Sequence, residues 1–204
     1  MTTKDNIFQR LHAAVKVSMP VKQPAPCSSR VDVDLVKELI QQLHSNAAQV
    51  DVIGQGELEN WLAGFFTTHP ELPREILTNC DITLNCDGIR VIKGRASGSE
   101  KVGLSIAELA IAETGTLVLQ SSPLNPTSIN YLVDHHIVLL ETTKTDTLKI
   151  VSNLNQAMAA LEKHGIFNSR AINFISGPSR TADIEQTIQL GAHGPRNLLV
   201  LVIK

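Results

Sequence analysis

Short apolar runs set between longer helical patterns constrain this chain most. Leu198-Leu199-Val200-Leu201-Val202-Ile203 carries no polar residue on either face, and Ile137-Val138-Leu139-Leu140 behind His136 is similar. A strand with one face in water alternates apolar and polar residues, so a run without alternation must be covered on both sides. Parallel strands joined by helical crossovers meet that demand, because the crossovers lay helices over both faces. The expected fold class is therefore α/β, a largely parallel sheet with helices on both faces.

The remaining pattern fits this plan. Leu35, Val36, Leu39, Ile40 and Leu43 recur at helical spacing, with Asp32 or Asp34 as N-cap. Val50–Ile53 reads as a strand, and Gly54-Gln55-Gly56 turns into a helix carrying Leu58, Trp61, Leu62 and Phe65. Asp81–Asn85 reads as a strand closed by Asp87-Gly88. Val102, Ile106, Leu109 and Ala110 fit a helix leading into a strand over Thr116–Leu119. A stripe of Leu148, Val151, Leu154, Met158 and Leu161 is helical and ends at Gly165. Ala171–Ile175 is a strand, Ala182–Leu190 a helix and Leu198–Ile203 a strand.

At 204 residues the chain suits one compact domain, over 31–204, behind an N-terminal extension, 1–30. That extension holds a short amphipathic stretch, Ile7–Val17, and then Pro20, Pro24 and Pro26, which oppose helix and central strand. Two readings stay open: an arm that packs on a partner subunit in a homo-oligomer, or a frayed terminus.

A net charge of −2 gives no footprint for nucleic acid or an anionic membrane. No apolar run approaches bilayer length, and Met1-Thr2-Thr3-Lys4-Asp5 lacks the plan of a secretory signal, so a cytoplasmic protein is expected. The three cysteines, Cys27, Cys80 and Cys86, form no CxxC pair; they suit neither a disulfide framework nor an iron–sulfur site, and no structural metal is expected.

Three segments concentrate polar groups at element ends. In Ala112-Glu113-Thr114-Gly115-Thr116-Leu117 a carboxylate, two hydroxyls and a glycine stand between apolar flanks that would carry them inward. Buried, Glu113 needs amides or a cation around it. It reads either as nucleophile, base or anchor, or as a carboxylate satisfied at a strand entry. In Ser176-Gly177-Pro178-Ser179-Arg180-Thr181 a strand ends in a loop ahead of the expected helix, at what would be the carboxyl edge of a parallel sheet. Helix amides, the Ser179 and Thr181 hydroxyls and the Arg180 guanidinium suit a carboxylate or phosphate. A plain helix cap is the other reading. In Gly191-Ala192-His193-Gly194-Pro195-Arg196, His193 is an acid–base candidate on a tight connection. His135 and His136 are adjacent on a strand, point to opposite faces and do not chelate one metal.

Taken in order, Ile111-Ala112-Glu113-Thr114-Gly115-Thr116, His136-Ile137-Val138, Ser176 through Glu185 and Gly191 through Arg196 resemble the lactate utilization protein C family, also called the LUD domain family. The resemblance covers residue 100 onward. Family members often carry an arginine and then a proline ahead of the HI strand; here that stretch is Asn125-Pro126-Thr127-Ser128-Ile129-Asn130-Tyr131-Leu132-Val133-Asp134. The resemblance implies a fold of the NagB/RpiA/CoA-transferase-like group. It also implies a role in oxidising L-lactate to pyruvate beside two partners, an iron–sulfur protein and a cysteine-rich one. No cofactor is then expected in this chain, and iron–sulfur clusters belong to the partners.

Three functions compete at this point. In the first the chain is a subunit of that lactate-oxidising system and binds a small carboxylate or phosphate. Thr114, Gly115, Thr116, Ser176, Gly177, Ser179, Arg180 and Thr181 form the ligand site, and Glu113 or His193 takes the hydroxyl proton. In the second it is an enzyme alone, of CoA-transferase or sugar-phosphate type, with Glu113 as acyl carrier. In the third it is a scaffold or regulator acting through its proline-rich arm.

Overall fold

The structure, a computed structural model, describes residues 34–142, 149–182, 188–190 and 194–204, with backbone alone at 181, 182 and 188–190. The N-terminal stretch Ile7–Val17, the proline-rich arm, Asp32, Cys27, Leu148 and His193 lie outside the described residues.

The first element among the described residues is α1 (Leu35–Ser45), capped by the Asp34 carboxylate, which accepts from the Lys37 amide. There follow β1 (Gln49–Ile53), α2 (Leu58–Thr68), β2 (Glu75–Leu77), β3 (Arg90–Ile92), β4 (Val102–Ile106), β5 (Leu109–Ile111) and β6 (Thr116–Gln120). Then come α3 (Thr127–Leu132), β7 (His135–Glu141), β8 (Ile150–Val151), α4 (Leu154–Lys163) and β9 (Ile172–Ile175). The last elements are β10 (Arg180–Ala182), β11 (Ile188–Leu190) and β12 (Asn197–Ile203).

Six strands form one sheet in the order β1-β12-β7-β4-β2-β3, and every pairing in it is parallel. The two apolar runs that opened the argument are its adjacent central strands, β12 and β7, buried on both faces as their composition requires. On one face Ile137, Leu139, Leu199, Leu201, Val102 and Leu104 pack against Leu62, Phe65 and Phe66 of α2. On the other, Val138, Leu140, Leu198, Val200 and Val202 meet Leu39 and Leu43 of α1.

A second layer lies on that face. Strands β8-β5-β6-β9 form a mixed four-stranded sheet whose Ala110, Ala112, Leu117 and Leu119 join the same core. Its outer face, Leu109, Ile111, Val118 and Val151, is covered by Ala157 and Leu161 of α4 and by Ile166. The α/β, largely parallel architecture thus stands as expected, with a small sheet added where helices alone were foreseen.

Four local expectations fail. Val102–Ala110 is not a helix but the strands β4 and β5. Residues 102 to 105 are all buried, so the helical spacing of Val102, Ile106 and Leu109 was coincidental. Gly103 shows the packing: a Cβ there would stand 2.7 Å from Ile129 Cγ2, so α3 lies directly on β4.

Asp81–Asn85 forms no strand. Its period-two pattern is real, because Ile82, Leu84 and Cys86 turn to the core while Asp81, Thr83 and Asn85 face water, but no neighbouring strand pairs with it. The sheet instead uses the short β2 and β3.

The stripe from Leu148 splits: Ile150 and Val151 pair with β5, and the helix starts only after Asn153, whose side chain accepts from the Gln156 amide. Finally, the helix expected over Ala182–Leu190 is replaced at both described ends by the antiparallel pair β10–β11. The Ser-Gly-Pro-Ser loop therefore leads into the strand β10.

Candidate functional site

The two signature segments meet through hydroxyls. Thr116, on β6, pairs in the ladder beside the end of β9, and its Oγ1 lies 2.8 Å from Ser176 Oγ and 2.6 Å from Thr114 Oγ1. The end of α1 clasps both. Asn46 Nδ2 donates to the Thr114 carbonyl at 2.9 Å. Gly115 lies against the α1 backbone, where a Cβ would fall 2.8 Å from Leu43 N, and a Cβ at Gly177 would collide with the Asn46 carbonyl oxygen. The close approach expected of Gly115 is thus made to a backbone of the protein itself.

The loop after β9 then reaches the amino edge of the six-stranded sheet. Ser179 N donates to Pro195 O at 2.8 Å, and Arg196 N donates to Asp134 O at 2.9 Å, just ahead of β12 and β7. This corrects the expected carboxyl edge. The physical reason is that β9 runs antiparallel to β6 in the small sheet and is no member of the parallel one.

Two cavities adjoin the meeting point and share Phe174 and Ser176 as a common wall. The first, about 210 Å³, is lined by Asn130 and Tyr131 of α3, by Ser176, Gly177 and Ser179, and by Gly194, Pro195 and Leu198. Among the described residues no charged side chain lines it. The second, about 440 Å³, lies on the outer face of the small sheet, bounded by Ile111, Leu154, Met158, Thr114 and Thr116.

Behind the first cavity runs a buried polar chain. His136 Nε2 lies 3.0 Å from Ser105 Oγ, and Ser105 Oγ donates to Asn130 Oδ1 at 3.4 Å. All three residues are buried. Burial pushes the His136 imidazole down to about 3, so the ring is neutral at physiological pH. His135, on the opposite face as strand geometry requires, meets the Phe65 and His69 rings edge to face; burial lowers it first and His69 second.

The residues singled out earlier divide clearly. Thr114, Gly115, Thr116, Ser176, Gly177 and Ser179 come together. Glu113 does not join them: it is exposed, lines neither cavity, and its carboxylate has no partner among the described residues. The flanks bury Ala112 and Thr116 but leave Glu113 at a turn apex in water, which corrects the interior position expected for it. Arg180 is also exposed, has no ion pair among the described residues and follows the lining residue Ser179 at the cavity's rim in sequence. Thr181 is described by backbone only, in β10.

Asn46, Ser105, Asn130 and Tyr131 were missed. Asn46 carried one signal, its position as helix C-cap after the Leu35–Leu43 stripe. Among the described residues no three His, Cys, Asp or Glu side chains group as a metal site, and no helix is long and apolar enough to cross a membrane.

Known proteins resemble this chain in sequence and in fold. A family model described as the LUD domain matches residues 31–203. A lactate utilization protein C of Exiguobacterium is 35% identical over 94 residues, 46% of this chain and 40% of that protein. An uncharacterized protein of Neisseria meningitidis serogroup B is 34% identical over 154 residues, 74% of this chain and 63% of the relative. A lactate utilization protein C of Bacillus pumilus is 27% identical over 96% of this chain and 74% of its own length. The chain thus spans less than two thirds of the first two. The crystal structure of a DUF162 family protein from Deinococcus radiodurans superposes with a TM-score of 0.64 at 17% identity, over 83% of this chain and 96% of that one, a likeness of fold.

Proposed function

Because this chain belongs to the LUD domain family, we propose that it works in lactate utilization as a subunit that holds a short hydroxy or oxo acid in the 210 Å³ cavity. One observation carries the reading. Two signature segments 60 residues apart close on each other through Thr116 and Ser176, beside a cavity that offers Ser176 and Ser179 hydroxyls to a ligand. At about 30 Å³ per water the space holds roughly seven waters, which suits a small acid.

In this reading the acid's carboxylate sits at the mouth. Ser179 and the backbone at Gly177 and Gly194 line that side, and Arg180, next in sequence, supplies the positive charge. Oxidation of lactate removes a hydride from the α-carbon and a proton from the hydroxyl. The hydride's two electrons go to iron–sulfur partner proteins, and His193, which precedes the lining residue Gly194, is the candidate proton acceptor. Glu113, exposed and outside both cavities, is given no covalent role.

Titration calorimetry with lactate and with pyruvate tests the proposal, on the protein alone and mixed with the iron–sulfur and cysteine-rich partners. Saturable binding is expected, with Arg180→Ala weakening it about tenfold or more, as loss of a charge-assisted bond does. Absence of binding by either acid in every mixture would sink the reading.

A further inference from the structure

The inner wall of the small cavity carries a hydrogen-bond donor whose direction is fixed from behind. Asn130 is buried, lines the cavity and turns its Oδ1 to the Ser105 hydroxyl. Ser105 spends its single proton on that bond, so at its contact with His136 Nε2 it accepts, and the imidazole proton sits on Nε2. His136 Nδ1 is then a bare lone pair, which agrees with its having no partner among the described residues. A lone pair left unmatched costs less than a stranded N–H, and the neutral ring keeps the arrangement over the physiological range. Asn130 Nδ2 has no hydrogen-bond partner among the described residues either. Since Asn130 lines the cavity and its Oδ1 is taken by Ser105, Nδ2 is the end of the amide left for a ligand there.

We propose that Asn130 is the residue that selects the ligand's α-oxygen, donating from Nδ2 to a keto group, so that the cavity holds a 2-oxo acid more tightly than the matching 2-hydroxy acid. This rests on the small-acid reading above. The geometry supplies the selectivity. A keto oxygen only accepts, which matches the Asn130 amide nitrogen on the inner wall, a group that only donates. A hydroxyl at the same place accepts too, but its own proton must then find an acceptor away from that wall, and a polar group left unmatched in an enclosed site is what gives discrimination its size. The inner place does not suit the carboxylate, since among the described residues no charged side chain lines the cavity to offset its burial. Ser105 and His136 touch no ligand; they are positioning residues that keep the amide from turning over.

Two measurements test this. Long-range proton–nitrogen NMR on the unmodified, histidine-labelled protein is expected to show His136 protonated at Nε2; protonation at Nδ1 would reverse the chain and overturn the assignment. Calorimetry with pyruvate and lactate is expected to give about tenfold tighter pyruvate binding, the size of one hydrogen bond. Asn130→Ala removes the preference. Ser105→Ala, which leaves the ligand-facing amide in place, reduces it by freeing the amide to turn, and thermal melts confirm that both variants fold. If neither acid binds the native protein, the lactate reading falls and takes this inference with it. If both bind equally, or the preference survives Asn130→Ala, the small-acid site stands and only the role of Asn130 is lost.

Discussion

Beyond its contact with Ser105, His136 has a further consequence for the fold. Its imidazole is fully buried between the two sheets, and burial pushes it down to about 3. In the unfolded chain the same ring takes a proton near pH 6.5. Above that pH neither state is protonated and stability is complete. As pH falls below it the unfolded state gains a proton that the folded state refuses until about pH 3, so stability is lost at about 1.4 kcal/mol per pH unit over that window. His135 shifts in the same direction through burial and His69. Glu100, held down to about 2 by the Ser97 amide and hydroxyl, contributes above its ordinary 4.5 and loses that only in stronger acid. The interval from pH 7 to 5 therefore belongs to the histidines. The urea midpoint is expected to fall across it, and His136→Gln to flatten the slope while lowering stability at pH 7. A midpoint independent of pH over this range in the native protein would contradict the burial described.

Among elements, the end of α1 matters most to the site. Gly115 has a φ of +63° and its α-carbon lies against the α1 backbone, so a methyl group meets both the left-handed strain and the Gln42–Leu43 peptide. Gly115→Ala is expected to cost about 2–4 kcal/mol in urea unfolding, from the sum of strain and overpacking. A cost below about 1 kcal/mol would mean the clasp gives way freely. Such contacts also show what was legible in advance. The strands β1, β6, β7, β9 and β12 and the helices α1 and α2 were read from periodicity and capping alone. Misreadings came where periodicity had a second cause: Ile82, Leu84 and Cys86 alternate toward the core without a ladder, and Val102, Ile106 and Leu109 keep a helical interval by accident. At the site, the hydroxyl and glycine segments were legible because their composition suits turns. Asn130 was not, since the six residues of α3 are too few to set a helical period and its partner Ser105 lies on a strand that was read as helix.

Across the whole molecule one core serves both sheets. Val138, Leu140 and Val200 of the large sheet share a cluster with Leu117, Leu119 and Ala110 of the small one, and Leu39 and Leu43 of α1 close it. Neither sheet can open without exposing the other's apolar face. Urea unfolding is therefore expected to be a single transition, with fluorescence of Trp61, the chain's one tryptophan, tracking far-ultraviolet dichroism. Trp61 sits on α2, across the large sheet from the small one, so two separated midpoints would show that the layers unfold independently. The order of strands adds a matter of timing. Among the described residues β1 is the first strand, yet its one neighbour in the sheet is β12, the last of them. While the polypeptide is still emerging from the ribosome, that early strand has nothing to zip against, and the middle of the sheet stands as an open slot between β1 and β7. The nascent chain thus carries two sticky edges until β12 is made, and the interval before that strand arrives is when a chaperone has most to shield.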